Sequence, residues 1–239
     1  MTTQTVRRVI LGVAIAVVAA TATQPPVAAQ EPAAVAPPRG PGQATPPLFF
    51  REAWQQRPDG QQHQVEADVV SNPDLDLKLY GATANEILVT GTPTGPAGVV
   101  WLFNGLSTTP IAVTLRHRDS YVDLSGAARV RWTIRTAGFH VARPVVKLAD
   151  GTWLIGDRAD TSPDYFNEIE FSLATLRWLP FDVERVVTTA ETNGQWILNP
   201  DLTRVDEVGY ADLMPGSGHG FGGWASLGPI EVYGTAVAR

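Results

Sequence analysis

From about residue 48 onward, apolar and polar side chains alternate along this chain with a period of two. Leu75, Leu77 and Leu79 are separated by Asp76 and Lys78. Ile111, Val113 and Leu115 are separated by Ala112 and Thr114, with Arg116 following. Val130, Trp132 and Ile134 are interleaved with Arg129, Arg131, Thr133 and Arg135, and Ile169, Phe171 and Leu173 with Glu168, Glu170 and Ser172. Successive side chains of an extended strand point to opposite faces, so each run predicts a strand with one buried and one wetted side. Shorter runs at 87–90, 99–103, 145–148, 152–155, 208–213 and 230–233 bring the set to about ten strands. Turn signals separate them, among them Asn72-Pro73-Asp74, Asp150-Gly151, Asn193-Gly194 and Asn199-Pro200-Asp201. Asp150-Gly151 and Asn193-Gly194 favour tight hairpins, because both central residues tolerate positive φ. No helical stripe persists along the chain; the best short helix falls at 50–56, and a single turn fits 173–177. The predicted fold is therefore all-β, an antiparallel β-sandwich or jelly roll.

The first residues follow a different pattern. Arg7 and Arg8 precede an uninterrupted run from Val9 to Ala22, and Val27-Ala28-Ala29 offers the small side chains of a cleavage site. The run is shorter than the roughly 20 residues that cross a bilayer. It predicts a secretory leader over 1–29, a periplasmic or secreted destination and no transmembrane segment after cleavage. Residues 30–47 are rich in Pro and Ala, which cannot offset their ordering entropy by burial, so they read as a disordered linker. Residues 48–239 are then expected to form a single β-sandwich domain.

Composition narrows the chemistry. The chain contains no cysteine, which excludes disulfides, Cys-ligated zinc and a thiol nucleophile. Its net charge is −6, and loss of Arg7 and Arg8 with the leader takes it to −8. That balance argues against nucleic acid, whose phosphates require an excess of Lys and Arg. Yet Arg116 on one strand and Arg129, Arg131 and Arg135 on another lie on the polar faces, with Arg118 just beyond. Were the two strands neighbours, they would form a basic stripe for a uronic or sulfated sugar. Glu168, Glu170 and Asp119 could instead neutralise them across strands.

The chain has seven tryptophans. Trp132 is in phase with Val130 and Ile134 and reads as core, as do Trp101 and Trp178. Trp153, Trp196 and Trp224 sit beside turns or glycines, where an exposed ring can act as a sugar platform. The glycine-rich stretch 215–223 carries His219, either over a ligand or simply in a long hairpin. Signals for catalysis are thinner. The four histidines, at 63, 117, 140 and 219, lack metal-ligand spacing, and there is no Gly-x-Ser-x-Gly elbow. Glu168 and Glu170, with His117 or His219, are the residues an acid–base reading would use. Asp157, Asp160 and Asp164 form an acidic loop that fits no standard calcium motif.

The segment from Tyr121 to Gly234 resembles the galactose-binding-like jelly rolls. These include the complex I intermediate-associated protein family and carbohydrate-binding modules of secreted polysaccharide enzymes. The resemblance is carried by Asp123-Leu124-Ser125-Gly126 before a strand, Asp150-Gly151-Thr152-Trp153, Pro180-Phe181-Asp182, the run from Asp201 to Gly209, and the closing strand Ile230-Glu231-Val232-Tyr233-Gly234. It implies a galactose-binding-like topology, a carbohydrate-binding or accessory role and acidic or neutral glycans as partners. It also implies no cofactor and no metal-ligand set, with room only for a structural calcium near the chain ends, where Asp74 or Asp76 would approach Glu231 if the first and last strands pair. The ligand residues expected on this reading are Arg116, Arg131, Arg135, Trp153, His219 and Trp224. A glycan-active hydrolase or lyase and an envelope component without a small ligand are the competing expectations.

Overall fold

The computed structural model describes residues 45–188, 196–216 and 222–239. The expected leader, most of the linker, the Asn193-Gly194 turn and His219 lie outside the described residues. In chain order the strands are β1 Leu48–Glu52, β2 His63–Gln64, β3 Leu75–Tyr80, β4 Leu88–Gly91, β5 Val100–Phe103, β6 Ile111–His117, β7 Ser120–Asp123 and β8 Arg129–Gly138. They continue as β9 Arg143–Leu148, β10 Trp153–Gly156, β11 Asn167–Ser172, β12 Trp178–Asp182, β13 Val187–Thr188, β14 Val205–Asp212, β15 Gly223–Tyr233 and β16 Thr235–Ala238. The other regular elements among the described residues are three single 3₁₀ turns, one of them at Leu173–Thr175, where a turn was expected.

The strands form two antiparallel sheets. One has seven strands in the order β11-β8-β15-β5-β4-β2, with β1 sharing the β5 edge of β15. The other has nine, in the order β13-β12-β10-β9-β14-β6-β3, with β7 and β16 beside them. Consecutive strands cross repeatedly between sheets: β4 and β5 lie in the first, while β3 and β6 on either side of them lie in the second. This crossing is the jelly-roll habit, and the β-sandwich predicted from alternation is the fold observed.

The period-two pattern translates directly into burial. Along β8, Val130, Trp132, Ile134 and Thr136 point inward, and the arginines between them stay half-exposed. Their inward partners across the sandwich include Leu115, Val146, Leu154 and Val208. Each large apolar side chain so buried contributes about 1.5–3 kcal/mol.

Residues 50–56 are not a helix. Phe50 and Glu52 both face inward from β1, paired with Val232 and Ile230 of β15. Glu52 is fully buried. Its carboxylate accepts hydrogen bonds from the Trp54 amide (2.6 Å), the Ser71 amide (2.9 Å), the Ser71 hydroxyl (2.7 Å) and the Asn72 amide (3.0 Å). An extended β1 that presents this carboxylate to the 71–72 backbone satisfies more polar groups than an isolated helical turn would.

The nine-stranded sheet carries a second apolar cluster on its outer face, built from Ala112, Val145, Ile155, Leu179, Phe181, Val186 and Ala211. Tyr80 of β3 and Trp153 of β10 are separated by three strands, which is about 19 Å across a flat sheet. Their rings nevertheless meet edge-on with centroids 5.1 Å apart. The sheet therefore curls, and the two rings form a roof over a trough of small residues: Ala112, Thr114, Gly209 and Ala211.

Candidate functional site

The outer face of the seven-stranded sheet carries a cleft of about 160 Å³ lined by Gln62, Thr90, Trp101, Phe103, Arg135, Phe166, Trp224 and Ser226. Strand register explains why these side chains meet. Ser226 of β15 pairs with Phe103 of β5 on one side and with Arg135 of β8 on the other, and Trp101 pairs with Thr90 of β4. Phe166 immediately precedes β11, whose first residue pairs with Ile134. Two aromatic pairs form the walls. Trp101 and Phe166 lie with centroids 5.0 Å apart, and Phe103 and Trp224 at 5.8 Å. Glycines make room for them: a Cβ on Gly91 would meet the Trp101 ring at 2.1 Å, and one on Gly105 the Phe103 ring at 2.3 Å.

Arg135 lies between the walls, its guanidinium carbon 5.1 Å from the Trp224 ring, within cation–π range. Its Nε is buried and has no hydrogen-bond partner. A buried donor left bare costs about 1–3 kcal/mol, and more when it is charged. The other arginines of the expected stripe are matched: Arg116 with Asp206 (3.1 Å), Arg118 with Asp76 (2.9 Å), Arg129 with Glu170 (3.2 Å) and Arg131 with Glu170 (2.8 Å). Arg131 also reaches Glu168 and Glu231 at 3.5 Å. Among the described residues, Arg135 has no carboxylate partner.

The structure brings Arg135 and Trp224 together and sets Arg116, Arg131 and Trp153 apart from them. Arg116 is on β6 of the nine-stranded sheet, whereas Arg131 and Arg135 are on β8 of the other, so no continuous basic stripe exists. Arg131 shares the face of Arg135 but is consumed by carboxylates. Trp153 belongs to the roof, packed edge-on against Tyr80 and Phe181 and within 5.6 Å of the Lys147 ammonium, rather than standing free as a platform. Trp196 lies under Arg177, whose guanidinium is 4.5 Å from its ring. Trp101, expected in the core, instead faces outward into the cleft; the inward residues of β5 are Val100 and Leu102.

Among the described residues, Glu168 and Glu170 do not assemble with His117. Glu170 is held below the usual carboxylate range, first by the hydrogen bond from Arg131, and so stays ionised rather than serving as a proton donor. His117 lies in the other sheet, where its Nδ1 accepts the Asp119 amide (3.2 Å). In the acidic loop, Asp157 pairs with Arg177 (2.7 Å), and Asp160 with Arg158 (2.7 Å) and the Trp132 indole (3.1 Å). Asp74 and Asp76 do not approach Glu231, because β1 rather than β3 pairs with β15. No group of three or more potential metal-ligating side chains is found among the described residues.

Sequence reasoning missed a set of buried polar groups. Asp212, at the end of β14, accepts hydrogen bonds from Asn104 Nδ2 (2.7 Å) and the Met214 amide (3.0 Å), and pairs with His140 Nδ1 (2.6 Å). Asn104 Oδ1 in turn accepts the Ala225 amide (2.6 Å), which ties the nine-stranded sheet to β15 beside Trp224. Under the roof, buried Glu207 accepts Thr114 Oγ1 (2.6 Å), Tyr80 Oη (2.9 Å) and Lys147 Nζ (3.1 Å). The signal was present for Asp212, which is in phase with the inward residues Val208 and Tyr210.

No family model matches the chain, and no curated protein does. Among solved structures, the family 11 carbohydrate-binding module from Clostridium thermocellum, in complex with a β-1,3-1,4-mixed-linked tetrasaccharide, matches at TM-score 0.37 and 15% identity. The match covers 77% of this chain and 96% of that one. The family 11 module of the cellulosomal cellulase Lic26A-Cel5E of the same organism matches at TM-score 0.36 and 12% identity, over 77% of this chain and 95% of that one. PfGH50B matches at TM-score 0.41 and 10% identity, over 69% of this chain and 23% of its own length.

Proposed function

We propose that this chain is an exported carbohydrate-binding protein that receives a sugar ring in the cleft of Trp101, Phe103, Arg135, Phe166 and Trp224. One observation carries the reading: a guanidinium with a buried, unpartnered Nε held between two pairs of aromatic rings. Small-molecule sites are concave and largely aromatic, with a few convergent polar groups that fix orientation. A sugar offers both complements, since its C–H face packs on aromatic rings while its oxygens accept from the guanidinium. Ser226, Thr90 and Gln62 supply further polar atoms around the same space. The leader read from residues 1–29 supports export.

The test is isothermal titration calorimetry of the chain beginning at residue 30 against a panel of mono- and oligosaccharides. Truncating a central aromatic or arginine anchor at a binding site commonly costs at least about 1–2 kcal/mol. Trp224→Ala is therefore expected to weaken binding about tenfold or more. Trp196→Ala, away from the cleft, is expected to leave it unchanged. Undiminished affinity in the Trp224 variant would remove the cleft from consideration.

A further inference from the structure

We infer that the sugar this cleft selects is an acid: a single uronate ring, its carboxylate against Arg135. The inference rests on the cleft being a sugar site and adds the chemistry of its occupant. Five arginines were candidates for anion recognition, and four of them already have carboxylates within 3.2 Å. Arg135 is the exception, although Glu168 is carried on the adjacent β11, where it faces Arg131 instead. The lining residues beside Arg135 are uncharged: Gln62, Thr90, Ser226 and four aromatic rings. The cleft thus holds one positive charge whose counter-charge the described residues do not supply.

The Trp224 ring, 5.1 Å from the guanidinium carbon, attracts the charge without using its N–H groups, which stay available to an acceptor. A carboxylate matches a guanidinium in bidentate fashion, and such charge-assisted bonds are roughly twice as strong as neutral ones. A hydroxyl can accept from one guanidinium N–H but leaves the charge uncompensated. In a hexuronate the carboxylate projects from the ring at C5, so the ring can lie between the aromatic walls while the carboxylate reaches their floor.

Size and charge limit how much of a glycan is held. The cleft's 160 Å³ is about half of the roughly 300 Å³ at which drug-sized pockets begin, which is room for one ring. Because Arg129 and Arg131 are neutralised and the chain carries a net charge of −6, an acidic polymer lying along this face would meet no complementary track. A terminal or single uronate places one charge where one is needed.

The experiment compares three ligands by calorimetry: an oligosaccharide ending in glucuronate, the same oligosaccharide with that carboxyl reduced to the alcohol, and the same ending in a 6-sulfated glucose. The proteins are wild type, Arg135→Gln, Arg135→Lys and Trp224→Ala, each checked by thermal melting. Wild type is expected to prefer the uronate to the alcohol by tenfold or more. Raising salt from about 50 to 500 mM should shrink that preference by screening. Arg135→Gln should lower uronate affinity about tenfold further than it lowers that of the alcohol, so that the two become equal. Arg135→Lys should restore some of the preference, because it keeps the charge without the fork.

Equal wild-type affinities for uronate and alcohol, or an equal loss of both in Arg135→Gln, would overturn the acid assignment. The cleft itself would stand in that case if Trp224→Ala still abolished binding. Tighter binding of the sulfated ligand than of the uronate would overturn the carboxylate assignment. Binding of any of the three that ignores Trp224→Ala would overturn the site as well.

Discussion

Asp212 shows how much one side chain can hold. Its carboxylate joins β14 to Asn104, His140 and the Met214 amide, and through Asn104 to the backbone of β15. Both His140 and Asp212 have fully buried side chains. Removing one member of such a network leaves the others buried and unpaired, at a cost of about 3–5 kcal/mol. Asp212→Ala is expected to lose that much in urea unfolding, and Asp212→Asn less, since the amide oxygen still accepts from one or two of the donors. Similar losses in the two variants would mean that the charge, not the hydrogen bonding, holds the corner together. Neither partner was singled out in the sequence, because nothing local distinguishes an aspartate that ends a strand in the core from one that begins a loop. Phase along β14 carries the only hint. Arg135 was legible as an outward residue of β8, but its lack of a partner was not, since that depends on where every carboxylate of the opposing strands points.

At the scale of elements, alternation identified the strands well and their neighbours poorly. The faces of β3, β6, β8 and β11 follow directly from their period-two patterns, and a turn over 149–151 closes the β9–β10 hairpin, with Gly151 alone at positive φ where Asp150-Gly151 was read as a pair of such residues. The basic stripe failed for a topological reason: β6 and β8 are separated in sequence only by β7, yet the chain crosses between sheets on the way. Trp101 of β5 reads as core because both faces of that strand are apolar. Its outer face lines an aromatic cleft, and periodicity cannot tell an apolar ligand site from a core. Close approach between strands was equally invisible. A Cβ on Gly209 of β14 would stand 1.9 Å from the Val113 carbonyl of β6, at the middle of the trough. Gly209→Ala must therefore force β14 away from β6, and is expected to cost about 3 kcal/mol or more by chemical denaturation, at or beyond the upper end for overpacked sites. Gly126 has φ +62° but open space around it, so Gly126→Ala should cost only the conformational penalty of about 1–2 kcal/mol. A reversed order would show that backbone conformation rather than strand contact dominates.

For the whole molecule, titration sets the limits of stability on both sides. Burial raises the Asp206 carboxyl, but hydrogen bonds from Arg239 and Arg116 outweigh it and leave the group below its usual range. Asp182 and Asp201 are lowered as well, by backbone and side-chain hydrogen bonds to Arg185 and Thr203. Groups depressed in the folded state stabilise fully above their unfolded values, near 4, and lose that contribution as pH falls through the folded ones. At the other end, burial first and then the Asp212 charge raise the Tyr210 phenol, while burial and then Glu207 raise that of Tyr80. Those contributions are complete below about pH 10 and decline as pH rises beyond it. Urea midpoints are expected to be flat from about pH 5 to 9 and to fall outside that range. Asp206→Asn should be less stable at neutral pH and converge on wild type in acid; parallel curves would show that the Asp206 pairings contribute nothing.

The placement of the tryptophans has an optical consequence. Trp54, Trp132 and Trp178 are enclosed in the core, Trp153 is roofed against Tyr80, and Trp196 lies under Arg177. Trp101 and Trp224, on opposite walls of the cleft, are the indoles a ligand would touch. Emission from the other five forms a steady background, so a wavelength shift on adding a sugar reads the polarity of one small space. The chain carries its own reporter for occupancy, and replacing Trp101 and Trp224 one at a time by Phe tells which wall the ligand touches.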